Sequence, residues 1–546
     1  MKKIMFLALL VTVLSFLPSL LYSQVDTAWV RRYNGSSNGE DVANAIVVDA
    51  SGNVYVTGKT YNSTSDTDYI TIKYNSSGVQ QWVATYNDPT NSSDVATALI
   101  IDGQGNVYVT GRSWGGLADY DYVTIKYNSV GTQQWLQRYN GLANSTDVAN
   151  AIGMDFINYS VYVTGKSKDS GTAYYNYVTI KYNSNGTQQW VAEYSGPGTW
   201  TIDEATAIAV DYMRGIIYVT GGSMDATGGG TTYQDYVTIR YSWVGVDRWT
   251  ARYNGPDNNG DCARSIAVFD PNNIYVTGES FNGSYITDFA TVKYDSWGTQ
   301  KWAVRYNGPG SLYDWASAVA VDGSNNCYVT GTSYGTSSSA DYATVKYNSS
   351  GTQQWVARYN GPANGWDGAN AIWIDIGNNI YVTGGSYGSG TSSDYATIKY
   401  NSSGTEQWVA RYRGPADSID VANDISVDAN GNVYVTGMSF GSGTNYDIVT
   451  IKYVQTGAVE ENHSPFSAYR LSLEIYPNPA RSYFEVRSPF NAQGSVLRMF
   501  DVSGKEVKSE ELKGKNNRVS LEGIKNGVYF VQVGNETTTK KLVITK

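Results

Sequence analysis

Eight aspartates recur at one place in a repeated pattern along this chain: Asp41, Asp94, Asp147, Asp203, Asp261, Asp314, Asp367 and Asp420. Carboxylate oxygens are hard donors, and Ca2+ takes roughly six to eight oxygen ligands. A ring of these residues around one channel mouth would therefore suit a Ca2+ ion. The competing reading is local. An Asp side chain commonly accepts bonds from nearby backbone N–H groups and so fixes its own loop. Recurrence in eight copies favours the local reading, because a scaffold part repeats with the scaffold. A second series, which includes Asp49, Asp102, Asp322, Asp375 and Asp428, sits in tight turns and reads as turn capping.

Other chemistry is scarce. His463 is the only histidine, and it lies outside the repeated region. A Ser-His-Asp triad and a histidine-based metal cluster are thereby excluded from the repeats. No glycine-rich loop leads from a strand into a helix to cradle a phosphate. A paired-carboxylate mechanism needs no histidine, so a carbohydrate-active hydrolase or lyase using Asp pairs is the enzymatic alternative. No cofactor is required. Five aromatics break the repeat in loops of uneven length: Trp114, Trp200, Tyr233, Tyr313 and Trp366. Set among Gly, Ser, Thr and Asn, they suit stacking on a glycan or contact with a protein partner. The alternative is that they fold back over their own loops.

The elements that carry these residues follow from the repeat. Trp29, Trp82, Trp135, Trp190, Trp249, Trp302, Trp355 and Trp408 are spaced by 53, 53, 55, 59, 53, 53 and 53 residues. A period near 50 marks an array of supersecondary units. In the first unit a strand from Asp41 is followed by the turn Asp49–Asn53, a strand Val54–Gly58 and a polar loop. A third strand, Asp68–Tyr74, the turn Asn75–Gly78 and a fourth strand, Gln80–Tyr86, complete it. Apolar alternation of period two marks the third and fourth strands. Four short strands joined by tight turns make one propeller blade. The first strand is expected innermost, because its third residue is alanine in all eight copies, from Ala43 to Ala422. The Gly after Tyr-Val-Thr recurs from Gly58 to Gly437, as a bend or bulge glycine would.

Order bears on closure. The chain opens with a fourth-type strand at Trp29–Tyr33 and ends its repeats with a third-type strand at Tyr446–Tyr453. Pairing the two would remove an open edge. The expected fold is all-β: an eight-bladed β-propeller of four-stranded blades over residues 24–453, its ring closed by the N-terminal strand.

Composition agrees with secretion. Charged residues are 16% of the chain, with 57 Gly and 47 Tyr, and the net charge is −10. Residues 471–546 hold 12 basic and 8 acidic side chains, which leaves 27 basic against 41 acidic elsewhere. An acidic body without a basic stripe argues against nucleic acid. Lys2 and Lys3 precede the apolar run Ile4–Leu21, and Ser23 is a small residue before a cleavage point. Residues 1–23 therefore read as a signal peptide, with an uncleaved anchor as the rival reading. No further transmembrane stretch is expected in the mature chain, and a monomer is expected. Cys262 and Cys327 occupy valine slots of the repeat, which points to small apolar core residues rather than a disulfide pair.

Residues 454–472 lose the repeat and read as a linker. A small β-sandwich over 473–546 follows, with strands near Leu473–Tyr476, Tyr483–Val486, Val496–Val502, Val519–Leu521, Gly527–Val533 and Lys540–Lys546. Its motifs are Tyr476-Pro477-Asn478-Pro479, the segment holding Asp501, Gly504 and Lys505, the strand with Gly527 and Tyr529, and the Lys540-Lys541 terminus. These segments resemble the type A C-terminal sorting domain of the type IX secretion system. The unit Gly-Asn-Val-Tyr-Val-Thr-Gly with its Lys-Tyr and Trp strands resembles the SBBP β-propeller repeat, across residues 27–453. That repeat label implies seven blades, whereas this sequence counts eight.

The resemblances imply export through the type IX machinery, with release or attachment at the outer surface of a Gram-negative bacterium. The expected role is a secreted binding or adhesion module for a polysaccharide or another surface protein.

Overall fold

The computed structural model describes residues 24–456 and 474–545, apart from 63–65, 117–118, 169–173, 198–200, 212, 225–232, 283–285, 337–338, 477–479, 488–495, 502–504, 514–515 and 534–539. Strands are the only regular elements among the described residues. The architecture is all-β, in four-stranded antiparallel sheets of the β-propeller type.

The chain begins with β1 (Gln24–Tyr33). Then β2 (Val42–Val48), β3 (Val54–Tyr61), β4 (Thr67–Tyr74) and β5 (Gln80–Tyr86) form the first sheet, in that order. Local chemistry sets the turns. Asp49 Oδ1 accepts the backbone N–H groups of Ser51 and Asn53 at 2.8 and 2.9 Å, and Gly52 takes a φ of 74° that an L side chain resists. Six more sheets with the same strand order follow, from Asp94–Tyr139 to Asp367–Tyr412. The last contains Asp420–Val427, Val433–Phe440 and Tyr446–Thr456, and its fourth strand is β1. Trp29 lies opposite Lys452 and Gln24 opposite Thr456. The final strand therefore runs three residues past the expected boundary at Tyr453, because β1 offers it a partner up to Thr456.

The core lies between sheets. Tyr55 and Tyr69 of the first sheet pack with Ala96, Val109, Ile125 and Tyr127 of the second. Tyr434 and Ile448 of the last sheet pack with Ala43, Ile46 and Val54 of the first. Burial of such a side chain is worth roughly 1.5–3 kcal/mol. Seven of the eight repeat tryptophans wedge between two tyrosines. Trp82, for example, lies 6.4 Å from Tyr55 and 6.2 Å from Tyr127, ring centre to ring centre. Its indole N–H donates to the Ser129 carbonyl of the next sheet at 3.2 Å.

Every innermost strand carries a bulge at its fourth position. In the first sheet Ala43 pairs with Gly58 and Ala45 with Thr57, so Asn44 is left over. The glycine facing the bulge is obligatory for space. A Cβ on Gly58 would lie 1.9 Å from the Val42 carbonyl oxygen.

Residues 474–545 form a separate two-sheet unit. One sheet is Glu474–Tyr476, Tyr483–Arg487 and Asn516–Ser520. The other is Glu506–Glu511, Val496–Asp501, Gly527–Val533 and Lys540–Ile544. Phe484, Leu497, Met499, Val519, Val531 and Leu542 fill the core between them.

Candidate functional site

The bulges re-aim a side chain, as bulges commonly do. Asn44 Nδ2 donates to the Ala96 carbonyl of the next innermost strand at 2.7 Å. The same bond, at 2.8 Å, runs from Thr97 to Ala149, Asn150 to Ala205, Thr206 to Ala263, Asn370 to Ala422 and Asn423 to Ala43. Two bulge positions do not make it. They are neighbours: Arg264 in the fifth sheet and Ser317 in the sixth.

At this interruption the surface opens into a cleft of about 410 Å³, lined by Arg264, Glu279, Trp315, Ala316 and Ser317. Three of these side chains depart from their repeat slots. Arg264 stands where other copies have Asn, Thr or Ser, and Trp315 in a slot that holds Val42, Val95, Val148 and Val421 but also Glu204, Cys262 and Gly368. Glu279 is the one acid in a slot that holds Lys59, Arg112 and Lys166 in three copies and Gly222, Thr332, Gly385 and Met438 in the others. Arg264 is half exposed, so instead of reaching Ala316 it turns to Glu279, with an Nη2–Oε1 distance of 2.7 Å. Burial works against the guanidinium charge, but Cys262, Glu279 and Glu204 more than offset it, and the Arg264 pKa is raised. Burial also pushes the Cys262 thiol up to about 11, so it is neutral at pH 7. Glu204 forms its own ion pair with Lys166 at 2.8 Å. Trp315 of the cleft belongs to an aromatic row: Tyr334 lies 6.5 Å from both Trp315 and Tyr313, ring centre to ring centre.

The eight aspartates are placed otherwise than around a common ion. Each is at most 1% exposed. Each accepts a backbone N–H from its own preceding loop at 2.5–2.8 Å, from Gly35 to Asp41 through to Gly414 to Asp420. Seven also accept an N–H from the far end of the second strand, such as Tyr61 to Asp41 at 2.9 Å. They clamp two loops together. Burial raises their pKa values, to about 7 for Asp94 and about 6 for Asp147 and Asp261. Among the described residues, no group of three or more His, Cys, Asp or Glu is set to hold a metal ion. Cys262 and Cys327 are free.

The five loop aromatics divide. Tyr313 is 48% exposed and lies against Tyr334, which in turn meets Trp315 of the cleft. The Trp366 ring lies over Gly368, filling the space of the side chain missing there. Trp114 turns back edge-on against Tyr120 at 5.2 Å. Tyr233 is half-buried near Gly260. Trp200 lies outside the described residues. So do Pro477, Asn478, Pro479 and Gly504 of the tail. Tyr476, Asp501, Gly527, Tyr529, Lys540 and Lys541 all lie on strands, and Lys505 closes a turn by donating its N–H to Asp501 Oδ1 at 3.1 Å.

Sequence reasoning missed Arg264, Glu279 and Trp315. The signal was present as a residue type found in no other copy of its slot: a cation at 264, an acid at 279 and a large ring at 315. It also missed Trp243 and Trp297, which are 63% and 82% exposed in the short turns of the opposite face.

A series of four-stranded antiparallel sheets, packed against one another with tryptophans between them, defines a β-propeller repeat protein. The family described as Beta-propeller repeat (SBBP) matches residues 28–63, 89–118 and 407–443, and that described as Secretion system C-terminal sorting domain matches 474–545. The chain carries SBBP repeats and a type IX sorting domain. It is accordingly exported to the cell surface or extracellular space of a Gram-negative bacterium.

One stretch of 128 residues is 29% identical to Beta-agarase A of Zobellia galactanivorans, over 22% of this chain and 23% of that protein. The chain thus spans less than a quarter of that relative's length. Among solved structures, PorZ, a surface component of the type-IX secretion system of Porphyromonas gingivalis, is 13% identical. That match covers 91% of this chain and 68% of PorZ, with a TM-score of 0.37. The β-propeller domain of the Trilobed protease from Pyrococcus furiosus is 9% identical over 67% of this chain and 99% of that one, with a TM-score of 0.38. At these scores neither superposition carries an argument. Among the described residues no helix is long and apolar enough to cross a membrane.

Proposed function

We propose that this chain is a binding module displayed at the cell surface: an eight-bladed propeller over residues 24–456 whose ring the N-terminal strand seals. Residues 1–23 serve as its signal peptide, and the segment before 473 links it to the sorting sandwich, 473–546. Sealing is supported by the pairing of β1 with Tyr446–Thr456 and by the Asn423–Ala43 bond. Eight blades rather than seven is supported by the eight four-stranded sheets that precede the tail.

One observation carries the binding role. Between the fifth and sixth sheets several residues that depart from their repeat slots come together, and they line an open cleft on a rigid scaffold. Residues that do not serve the scaffold, yet converge on a concavity, are the usual mark of recognition. The role needs no cofactor, and a polysaccharide is the ligand class it suits. The partial likeness to Beta-agarase A makes agarose a sensible first probe.

The hydrolase or lyase alternative is weaker. Glu204 and Glu279 do break the repeat, but each is held in an ion pair, at 2.8 and 2.7 Å. A glycosidase needs one carboxyl kept protonated as the acid, and a cationic partner opposes that.

The test is a screen of the mature secreted chain against immobilised poly- and oligosaccharides, with product analysis of the same samples. Retention without turnover is the expected result. Turnover that disappears in Glu204→Gln or Glu279→Gln would establish the enzyme instead.

A further inference from the structure

We infer that the cleft between the fifth and sixth sheets is a subsite for one residue of a neutral, hydroxyl-rich saccharide, with Trp315 as the stacking face and the Arg264–Glu279 pair as the hydroxyl reader. The inference rests on the binding-module reading and assigns it a place and a ligand chemistry.

The chemistry follows from what the cleft offers. Arg264 has five N–H donors, and its hydrogen bond to a side chain is the one to Glu279. Glu279 accepts it through Oε1 alone, which leaves Oε2 as an acceptor. A charged donor and a charged acceptor therefore lie side by side, about one hydrogen-bond length apart. A sugar hydroxyl is both donor and acceptor, so adjacent hydroxyls can accept from Arg264 and donate to Glu279 together. Such charge-assisted bonds are roughly twice as strong as neutral ones. Ser317 adds a hydroxyl of either sense. Trp315 supplies a broad apolar face beside these polar groups, and Tyr334, itself against Tyr313, packs on it. An apolar platform next to a few convergent polar groups is what a small-ligand site requires.

Charge selects against the alternatives. Glu279 lines the cleft, Glu204 and Glu279 both act on Arg264, and the guanidinium is already paired. A carboxylated or sulfated sugar would meet a carboxylate that no cation is free to neutralise. An ammonium ligand would meet Arg264. A neutral sugar meets neither penalty. The volume of about 410 Å³ fits within the range of small-ligand pockets, roughly 300–1,000 Å³.

The same cleft has an internal control that the repeat provides. Each repeat-breaking residue can be changed to the one other copies carry: Trp315→Val as in Val42, Arg264→Asn as in Asn44, and Glu279→Lys as in Lys59. These residues already fold in equivalent positions. Arg264→Asn is expected to reach the Ala316 carbonyl and so complete the interrupted series of bonds.

The experiment is titration calorimetry of the mature chain with agaro-, cello- and manno-hexaose, and with oligoguluronate as the charged probe. Wild type is expected to bind at least one neutral hexaose and not oligoguluronate. Trp315→Val and Glu279→Lys are each expected to weaken it at least tenfold, while Trp243→Ser on the opposite face leaves it unchanged. Should Arg264→Asn fold poorly, Trp315→Val and Glu279→Lys still test the site, because neither changes the bulge position. Neutral binding that survives all the cleft variants overturns this subsite but leaves the glycan-binding role standing. Binding of oligoguluronate alone overturns the ligand class. Binding of a protein partner with no glycan bound overturns both.

Discussion

The indole N–H of Trp408 donates to the side-chain oxygen of Gln455 at 3.4 Å, where each of the other seven repeat tryptophans donates to a turn carbonyl of the next sheet. The last sheet has no third-to-fourth turn, because its fourth strand is β1 and comes from the other end of the chain. Gln455 replaces that turn. It also accepts from Lys399 and donates to the Gly431 carbonyl at 2.6 Å and the Tyr381 hydroxyl at 3.2 Å. Gln455→Ala is expected to leave these groups without their partner and to lower stability by about 1–3 kcal/mol. Chemical denaturation of the mature chain measures it, and a change below about 0.5 kcal/mol would remove Gln455 from the seam.

Stability should rise as the solution is made mildly acidic. Asp424 stands in an alanine slot of the repeat, accepts the Ile46 N–H at 2.9 Å, and is pushed by burial from 3.8 to about 6. Asp94 rises to about 7, and Asp147 and Asp261 to about 6, again by burial. Their folded values lie above the unfolded ones, so between roughly pH 4 and 7 the folded state binds more protons. Folding is then favoured as pH falls through that window. The unfolding midpoint is expected to be higher at pH 5 than at pH 7.5. Asp424→Asn keeps an acceptor for Ile46 but cannot titrate. It should remove one such contribution, about 3 kcal/mol at most. A midpoint that falls on acidification to pH 5 contradicts this account.

Two glycines of the second sheet should behave oppositely. A Cβ on Gly111 would lie 2.1 Å from the Val95 carbonyl oxygen and 2.9 Å from the Tyr69 hydroxyl, whereas one on Gly103 meets nothing nearer than 3.6 Å. Gly111→Ala is expected to cost more than about 2 kcal/mol, and Gly103→Ala to stay within about 0.5 kcal/mol. Equal melting temperatures for the two variants would mean that the bulge tolerates a side chain.

Export should depend on the tail. The chain lacking 474–546 is expected to accumulate in the periplasm, because the sorting domain is what directs passage across the outer membrane. Cell fractionation with immunodetection reads the outcome. Appearance of the truncated chain in the medium at wild-type levels would show a second export signal.

Much of the scaffold is legible in the amino-acid sequence. Strands, turns and repeat number depend on local patterns: Asp49 with Gly52, the alternation in Asp68–Tyr74, and the Trp of each fourth strand. The opening and closing phases even point to the pairing of Trp29 with the strand ending the repeats, which is observed at Lys452. The site is not legible in the same way. Arg264 and Glu279 lie 15 residues apart, and Trp315 is on the next sheet. Arg264 and Glu279 meet across their own hairpin, where the bulge leaves Arg264 unpaired, and Trp315 joins them because the next sheet packs against that hairpin. The aspartates show the converse. Their recurrence is plain in the sequence, but whether eight carboxylates face one another or their own loops depends on where the chain folds back. The tertiary structure turns each toward its own loop, because a buried carboxylate must be hydrogen-bonded and that loop supplies backbone N–H groups within reach. Local periodicity thus determines the blades, and packing between blades decides which of their irregularities can come together as a site.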